Sequence, residues 1–305
     1  MNANFRTAAE LLDGYRAALH GPPPELWPVG TGGLATVEIG PGRIVLLGGA
    51  PGVGKTALTM QWVIDALRAV PTLRAVTVNV EMHPHALLDR QLSRLSGVPL
   101  SIINKRQLGP EHAERIDRGL ATLESVADRL AFVAPPFDLE HVARAADAFA
   151  AKLLLLDYVQ RIRPPGEHSD KRSSVNALMD YLRRFADVGL GVLAIAAVGR
   201  TRDKRGRSSY TPTALNLASF RESSELEYGC DSAYLLLPAD ASDPGAVTLS
   251  CCKHRFGELV DVPLRFDRVR QAFTPIDDGP TDGEPPQIVQ LRKLWATTPP
   301  AGDSA

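Results

Sequence analysis

Short apolar segments alternate with amphipathic segments along most of this chain. The amphipathic segments repeat apolar residues at the spacing of Leu58, Trp62 and Ala66, which predicts helices, whereas the apolar runs predict buried strands. The predicted strands are 43–49, 75–80, 130–134, 152–157 and 191–198, and the predicted helices are 57–70, 85–97, 110–129, about 138–150 and 172–187. The last three strands consist mostly of apolar residues and are expected to be buried on both faces. This alternation predicts an α/β fold with a mostly parallel central sheet flanked by helices.

Beyond residue 230 the apolar segments follow one another closely, with turn residues between them. The segments at 233–238, 246–253, 259–266 and 270–276 predict C-terminal antiparallel strands that extend the sheet.

The two ends of the chain differ from this central part. We expect an N-terminal helix and proline-rich linker at 1–29, a folded domain at 30–275, and an acidic, proline-rich tail at 276–305 that is disordered. A lone helix as short as the N-terminal one is marginal in water, so it is expected to pack against another surface.

Composition excludes several classes of protein. With 44% hydrophobic and 23% charged residues, the chain is expected to be globular. The sequence shows no membrane-length apolar run and no signal-peptide pattern at its start, and its three cysteines form no C-x-x-C pair. His83 and His85 flank a proline and have no third metal ligand near them, so a zinc site is not expected. We therefore expect a cytoplasmic protein. Its net charge of −1 means that binding to nucleic acid would need a local basic patch.

A phosphate-binding motif follows the first predicted strand. The residues Gly49, Ala50, Pro51, Gly52, Val53, Gly54, Lys55 and Thr56 match G-x-x-x-x-G-K-[ST]. Glycines allow backbone N–H groups to surround phosphate oxygens, and the N-terminus of the next helix favours the same anion. Lys55 is expected to reach the β- and γ-phosphates, and the Thr56 hydroxyl is expected to bind Mg²⁺. The motif predicts an ATP site.

Two acidic residues end predicted strands. Asp157 follows a run of leucines, and a carboxylate at the carboxyl end of a parallel strand is well placed to hold Mg²⁺. Glu81 follows the strand after the P-loop helix. If that strand neighbours the P-loop strand, Glu81 faces the γ-phosphate and orients a water; otherwise it is a solvated acid, and position alone does not decide between the two.

Two segments are rich in cations. The segment 198–207 carries five cations and one acid, which suits contact with a nucleic-acid backbone but is equally typical of solvated surface. Its cations are Arg200, Arg202, Lys204, Arg205 and Arg207. The segment 161–174 is a second candidate, with Arg161, Arg163, Lys171 and Arg172.

Five segments, in order, resemble the ATPase domain of DnaB-type replicative helicases. They are IVLLGGAPGVGKTALTMQWV, VTVNVEMHPHALLDRQLS, LLLLDYVQRIRP, SFRESSELEYGCDSAYLLL and CCKHRFGELVDVPLRF, and the likeness spans about residues 30–270. The resemblance implies a RecA-like P-loop NTPase fold, ATP hydrolysis with Mg²⁺, a hexameric ring, and unwinding of DNA by translocation on single-stranded DNA. Other replication proteins are implied as partners.

The resemblance also implies roles for particular residues. It makes Glu81 the residue that activates the attacking water, and it places Arg221 and Glu222 in the scaffold near a subunit interface. It implies that Lys253 and Arg255 reach the nucleotide of the neighbouring subunit, whereas taken alone they are typical of a solvated cationic turn.

Two features depart from the family pattern and leave alternatives open. Ala197 stands where the family usually has a glutamine, which puts the coupling of hydrolysis to DNA binding in doubt. The leading helix resembles a linker helix that docks on the adjacent subunit, but it could equally fold back on its own core. A RecA-like ATPase of recombination or repair that does not unwind DNA, and an ATP-dependent regulatory or assembly module, remain alternatives.

Overall fold

A nine-stranded sheet organises the protein. The structure is a computed structural model, and it describes residues 5–199, 201–202, 208–209, 215, 219–220, 224–240 and 242–276. The strands are β1 (Ile44–Gly49), β2 (Ala75–Asn79), β3 (Leu130–Phe132), β4 (Leu153–Asp157), β5 (Gly191–Ile195), β6 (Thr201–Arg202), β7 (Ser208–Ser209), β8 (Ser232–Pro238), β9 (Ala246–His254), β10 (Val262–Asp267) and β11 (Ala272–Pro275). The sheet order is β11-β10-β9-β8-β1-β5-β4-β2-β3, and β6 pairs with β7 in a separate ribbon.

The structure describes eight α-helices, most of which cover the two faces of this sheet. They are α1 (Ala8–Leu19), α2 (Lys55–Ala69), α3 (Pro84–Ser96), α4 (Leu100–Asn104), α5 (Ala113–Ala127), α6 (Leu139–Ala148), α7 (Lys171–Asp187) and α8 (Ser224–Gly229). None of them, within the part of the chain that is described, has the length and hydropathy needed to cross a membrane.

The predicted fold class is confirmed. The six strands from β8 to β3 in the sheet order are parallel, and β9, β10 and β11 add antiparallel strands at one side. Alternate residues of β1 point into two cores. Val45 and Leu47 pack in the core that contains α2, and Ile44 and Leu46 pack in the core that contains α7.

Several predicted details are wrong. The strand at 130–134 is expected to be fully buried, but β3 is an edge strand of three half-buried residues. The helix at 110–129 begins with a 3₁₀ turn at Pro110–His112 and ends at Ala127. The condition attached to Glu81 is not met, because the strand after the P-loop helix, β2, pairs with β3 and β4, and two strands separate it from β1.

The N-terminal segment divides into an exposed part and an anchored part. In α1 a capping box links Thr7 and Glu10, yet no residue of the helix is buried, and Tyr15 and Leu19 are 59% and 62% exposed. The helix therefore does not fold back onto the core. Trp27, by contrast, is 1% exposed and pairs with Ile39, so the end of the predicted linker belongs to the folded domain. The tail beyond residue 276 lies outside the described residues.

Trp27 is expected to make a large contribution to stability because its ring fills space over Gly191, where an added Cβ would lie 2.5 Å from the Trp27 ring. We predict that Trp27→Ala lowers the free energy of unfolding by about 3–5 kcal/mol, the usual range for a buried aromatic residue. Chemical denaturation measures this change, and Leu26→Ala, at a neighbouring side chain that is 38% exposed, is the matched control. Equal effects of the two substitutions would contradict the prediction.

Candidate active site

The P-loop connects β1 to the first turn of α2, as its motif predicts. Gly54 has φ +106°, and a Cβ at this position would lie 2.7 Å from the Phe273 ring and 2.8 Å from the Phe266 ring. Only glycine fits both the left-handed backbone and this close contact. The Lys55 Nζ donates to the carbonyl oxygens of Gly49 and Ala50, at 2.8 and 3.0 Å. The loop therefore holds its own lysine at the mouth of a cleft of about 460 Å³.

Asp157 joins the P-loop helix to the centre of the sheet. Its Oδ2 accepts a hydrogen bond from the Thr56 hydroxyl and another from the Asn79 side-chain amide, both at 2.7 Å. The Asp157 side chain is nearly buried at the carboxyl end of β4. The structure thus brings together the two residues that the sequence predicts as Mg²⁺ ligands.

Glu81 lines the same cleft although β2 is not a neighbour of β1. Asn79 explains this position. Its Oδ1 accepts hydrogen bonds from the backbone N–H groups of Glu81 and Met82, at 3.0 and 2.6 Å, so the chain turns towards the cleft directly after β2. The strand adjacency on which this position is expected to depend is absent, and a turn stabilised by the Asn79 side chain places Glu81 at the cleft instead.

Burial and mutual charge set the protonation of this cluster. Burial lowers the pKa of Lys55, and the negative charges of Asp157 and Glu81 oppose that shift. Burial raises the pKa of Asp157, and the Glu81 charge adds to this, whereas the hydrogen bonds from Thr56 and Asn79 and the charge of Lys55 lower it. The charge of Lys55 therefore favours the ionised form of Asp157, whereas the charge of Glu81 opposes it.

Three cleft residues have no counterpart in the sequence-based prediction. Arg90, on α3, faces the cleft, and burial lowers its pKa while Asp157 opposes that shift. Arg268 and Gln271 lie in the turn between β10 and β11. The Arg268 Nη1 donates to the Gly52 carbonyl at 2.8 Å, so this turn braces the P-loop. The sequence FDRVRQAF shows only a cationic turn between strands, and no motif marks it.

The donor set fits a nucleotide with Mg²⁺. The P-loop supplies backbone N–H groups and an ammonium group, which bind phosphate. A hydroxyl from Thr56 and a carboxylate from Asp157 are the hard oxygen ligands that Mg²⁺ prefers.

Arg255 and Lys253 lie near the amino ends of the parallel strands, whereas the cleft lies at their carboxyl ends. The β9 residue His254 pairs with Ser232 of β8, and Ser232 pairs with Val45 near the start of β1. The P-loop begins at Gly49, four residues further along β1, or about 13 Å at the ordinary rise of a strand.

A buried carboxylate holds Arg255 in that position. The Arg255 Nη1 donates to Asp231 Oδ1 at 2.8 Å, and the Asp231 side chain also accepts from Arg183 and from the Ile44 backbone. Lys253 donates to the Tyr228 carbonyl at 3.1 Å. Neither cation can enter the cleft of its own chain.

A second cavity, of about 800 Å³, lies beside the cleft and includes part of the predicted cationic segment 161–174. Arg161, Arg163 and His168 line it, and Tyr158 and Ala197 line both this cavity and the nucleotide cleft. Arg172 is exposed on the first turn of α7.

Most of the other predicted cationic segment lies outside the described residues. Arg200, Lys204, Arg205 and Arg207 are not described, nor are Arg221 and Glu222, and Arg202 is described only as part of β6. Contact of this segment with nucleic acid stays a prediction.

The histidines and cysteines form no metal site among the described residues. His83 and His85 stack with ring centroids 4.9 Å apart, and Cys230, Cys251 and Cys252 form no disulfide with one another.

Comparison with known proteins places the chain in a family. The model of the DnaB-like helicase C-terminal domain matches residues 34–275, so the chain belongs to this family of replicative helicase ATPase domains. The ATPase domain of G40P superposes with a TM-score of 0.74 at 16% identity, covering 90% of this chain and 100% of that one. A DnaB-like replicative helicase, described with its interactions with primase, superposes with a TM-score of 0.72 at 15% identity, covering 89% of this chain and 67% of that one. These likenesses confirm the RecA-like fold. Comparison with curated protein sequences gives no match.

Asn79 is expected to position both acidic residues of the cleft. We predict that Asn79→Ala lowers kcat for ATP hydrolysis by roughly 10- to 100-fold, because small displacements of reacting groups have effects of this size. Affinity for ATP is expected to change less, since the P-loop contacts are retained. Steady-state kinetics with a separate binding measurement test this, with Asn104→Ala, at the exposed end of α4, as the control. A kcat within twofold of wild type would contradict the positioning role.

Proposed function

We propose that this protein is an ATP-hydrolysing DNA helicase that translocates on single-stranded DNA as a ring oligomer, with each nucleotide shared between two subunits. One observation carries the proposal. Lys55, Thr56, Asp157 and Glu81 gather in one cleft, whereas Arg255 is held at the opposite edge of the same chain. Membership of the DnaB-like family supports a helicase in general.

The cleft residues have separate roles in binding and hydrolysing the triphosphate. Backbone N–H groups of the P-loop and the Lys55 ammonium bind phosphate oxygens, and the Thr56 hydroxyl and Asp157 carboxylate would hold Mg²⁺. Bound Mg²⁺ neutralises negative charge on the phosphate oxygens. Glu81 accepts a proton from the attacking water and orients it towards the terminal phosphate. The Arg268 turn closes the side of the cleft next to Gly52.

In this proposal, Arg255 of the neighbouring subunit adds a positive charge to those of Lys55, Arg90 and Arg268 in the cleft. Arg255 is 49% exposed at its side chain although one of its nitrogens is tied to Asp231, so the side chain is accessible to a neighbouring subunit. A guanidinium supplied in trans stabilises charge on the transferred phosphoryl group and raises turnover by several powers of ten. Lys253, two residues earlier in β9, adds a second cation at the same edge.

The N-terminal helix supplies a means of assembly. Leu11, Leu12, Tyr15 and Leu19 of α1 are exposed and have no cover from their own core. We infer that α1 docks on the adjacent subunit. An apolar groove between α3 and α5, which Leu92, Leu120 and Leu123 help to line, is the surface we favour for it.

Unwinding of a forked duplex tests the proposed function directly. We expect the wild-type chain to unwind the fork only with hydrolysable ATP and Mg²⁺, and Lys55→Ala to be inactive. Turnover that single-stranded DNA stimulates without any unwinding would instead support a RecA-like ATPase of recombination or repair. Turnover that DNA does not affect would support a regulatory or assembly module.

A shared site predicts complementation between two inactive variants. We expect Lys55→Ala and Arg255→Ala to lose turnover separately, by roughly a thousandfold for the arginine. When the two are mixed and allowed to exchange subunits, some interfaces combine an intact P-loop with an intact Arg255, so turnover is expected to return in part. Arg265→Ala, which removes a similarly exposed arginine paired with Asp243, is the control. If the mixture stays as inactive as its components, the shared site is wrong.

If the arginines of the second cavity bind DNA phosphates, the affinity for single-stranded DNA falls as the salt concentration rises. Each phosphate contact on a single strand contributes about 0.7 to the slope of log affinity against log salt concentration. We predict that Arg161→Ala with Arg163→Ala flattens this slope by up to about 1.4 for an oligothymidylate. The exposed pair Arg118→Ala with Arg144→Ala is the control. An unchanged slope in the cavity variant would place the DNA elsewhere.

A further inference from the structure

The nucleotide cleft shares a wall with the second cavity, which Arg161 and Arg163 line and which is called the basic cavity below. Tyr158 and Ala197 line both spaces, and Gln160 lines the basic cavity beside them. A change in the position of this wall therefore alters both sites at once.

One side chain fixes the backbone of that wall. The Gln160 Oε1 accepts a hydrogen bond from the Ala197 backbone N–H at 3.0 Å, and the Gln160 Nε2 donates to the Ala197 carbonyl at 3.2 Å. The pair resembles one rung of a β-ladder, with a side-chain amide in place of a second strand. A side chain with both a donor and an acceptor is needed to make it.

The two ends of this link belong to different functional segments. Gln160 lies three residues after Asp157 and directly before Arg161, whose Nε donates to the Tyr158 hydroxyl at 2.8 Å. Ala197 follows β5, the strand between β4 and the P-loop strand β1. The Gln160 amide thus ties the loop that carries Asp157 and Arg161 to the segment that leaves β5.

The methyl group of Ala197 cannot form a polar contact itself. The polar group at this wall comes instead from Gln160, which acts through the Ala197 backbone. Its two hydrogen bonds restrict the position of residue 197 relative to Asp157, and they link the phosphate-binding edge of β4 to the cations of the basic cavity.

We propose that Gln160 is a positioning residue that couples the nucleotide cleft to the basic cavity, so that single-stranded DNA in the cavity changes the rate of ATP turnover. This role rests on the proposed function. It concerns the coupling between two sites, which is a property distinct from the affinity of either one.

Gln160→Ala removes both hydrogen bonds and tests the coupling. The measured quantity is the ratio of turnover with saturating oligothymidylate to turnover without it, for the full chain with Mg²⁺ and ATP. We expect the ratio to fall by roughly fivefold or more, the usual lower range of such coupling. Binding of the same oligonucleotide, labelled with fluorescein, is measured in parallel and is expected to remain. Gln107→Ala, at an exposed glutamine away from both cavities, is the matched control.

A second, more conservative variant tests the same role in case Gln160→Ala does not fold. Gln160→Glu retains an acceptor for the Ala197 N–H and removes the donor to the Ala197 carbonyl, so it is also expected to lower the ratio. Thermal melting confirms that each variant is folded.

The possible outcomes distinguish the coupling role of Gln160 from the proposed motor function. A stimulation ratio within twofold of wild type in both variants would overturn the coupling role and leave the motor function standing. Equal losses of basal and stimulated turnover, or a matching loss of oligonucleotide binding, would also overturn it, because a structural or binding role predicts those results. A wild-type chain that DNA does not stimulate would overturn the motor function, and the coupling role with it.

Discussion

The two edges of the parallel sheet separate the groups that this chemistry needs. Phosphate-binding groups collect at the carboxyl edge, where β1 ends in the P-loop and β4 ends in Asp157. Arg255 is fixed at the amino edge, because the buried carboxylate of Asp231 binds its guanidinium beside the start of β1. A strand is too long for an arginine to cross, so a single chain cannot bring the two sets together. This separation supports the proposed function, since only a second copy could bring Arg255 to the cleft.

Within the carboxyl edge, Asp157 is the residue on which the local geometry depends. It accepts hydrogen bonds from Thr56 of α2 and from Asn79 of β2, so one carboxylate fixes the P-loop helix against two strands of the sheet. Asn79 in turn stabilises the turn that places Glu81. Three elements that are distant in sequence therefore have a common anchor.

Sequence patterns predict the parts of this arrangement that obey local rules. The P-loop is predictable because its glycines and lysine act within one turn. The buried strands β1, β4 and β5 are predictable because nearly all of their residues are apolar, although the same pattern predicts burial wrongly for β3. Arg90 and Arg268 were not predictable in this way, since they reach the cleft through the packing of α3 and through the turn after β10. Strand order was the largest gap: β2 pairs with β4 rather than with β1, and no period in the sequence encodes that choice. The packing of α1 was also undetermined, because an amphipathic helix indicates an apolar partner without identifying it.

Turnover per chain, measured against protein concentration alongside solution mass, tests the shared site most directly. If each nucleotide needs Arg255 from a second copy, turnover per chain falls on dilution in parallel with the loss of the assembled species. Full turnover that persists while the mass is that of a single chain would contradict the account.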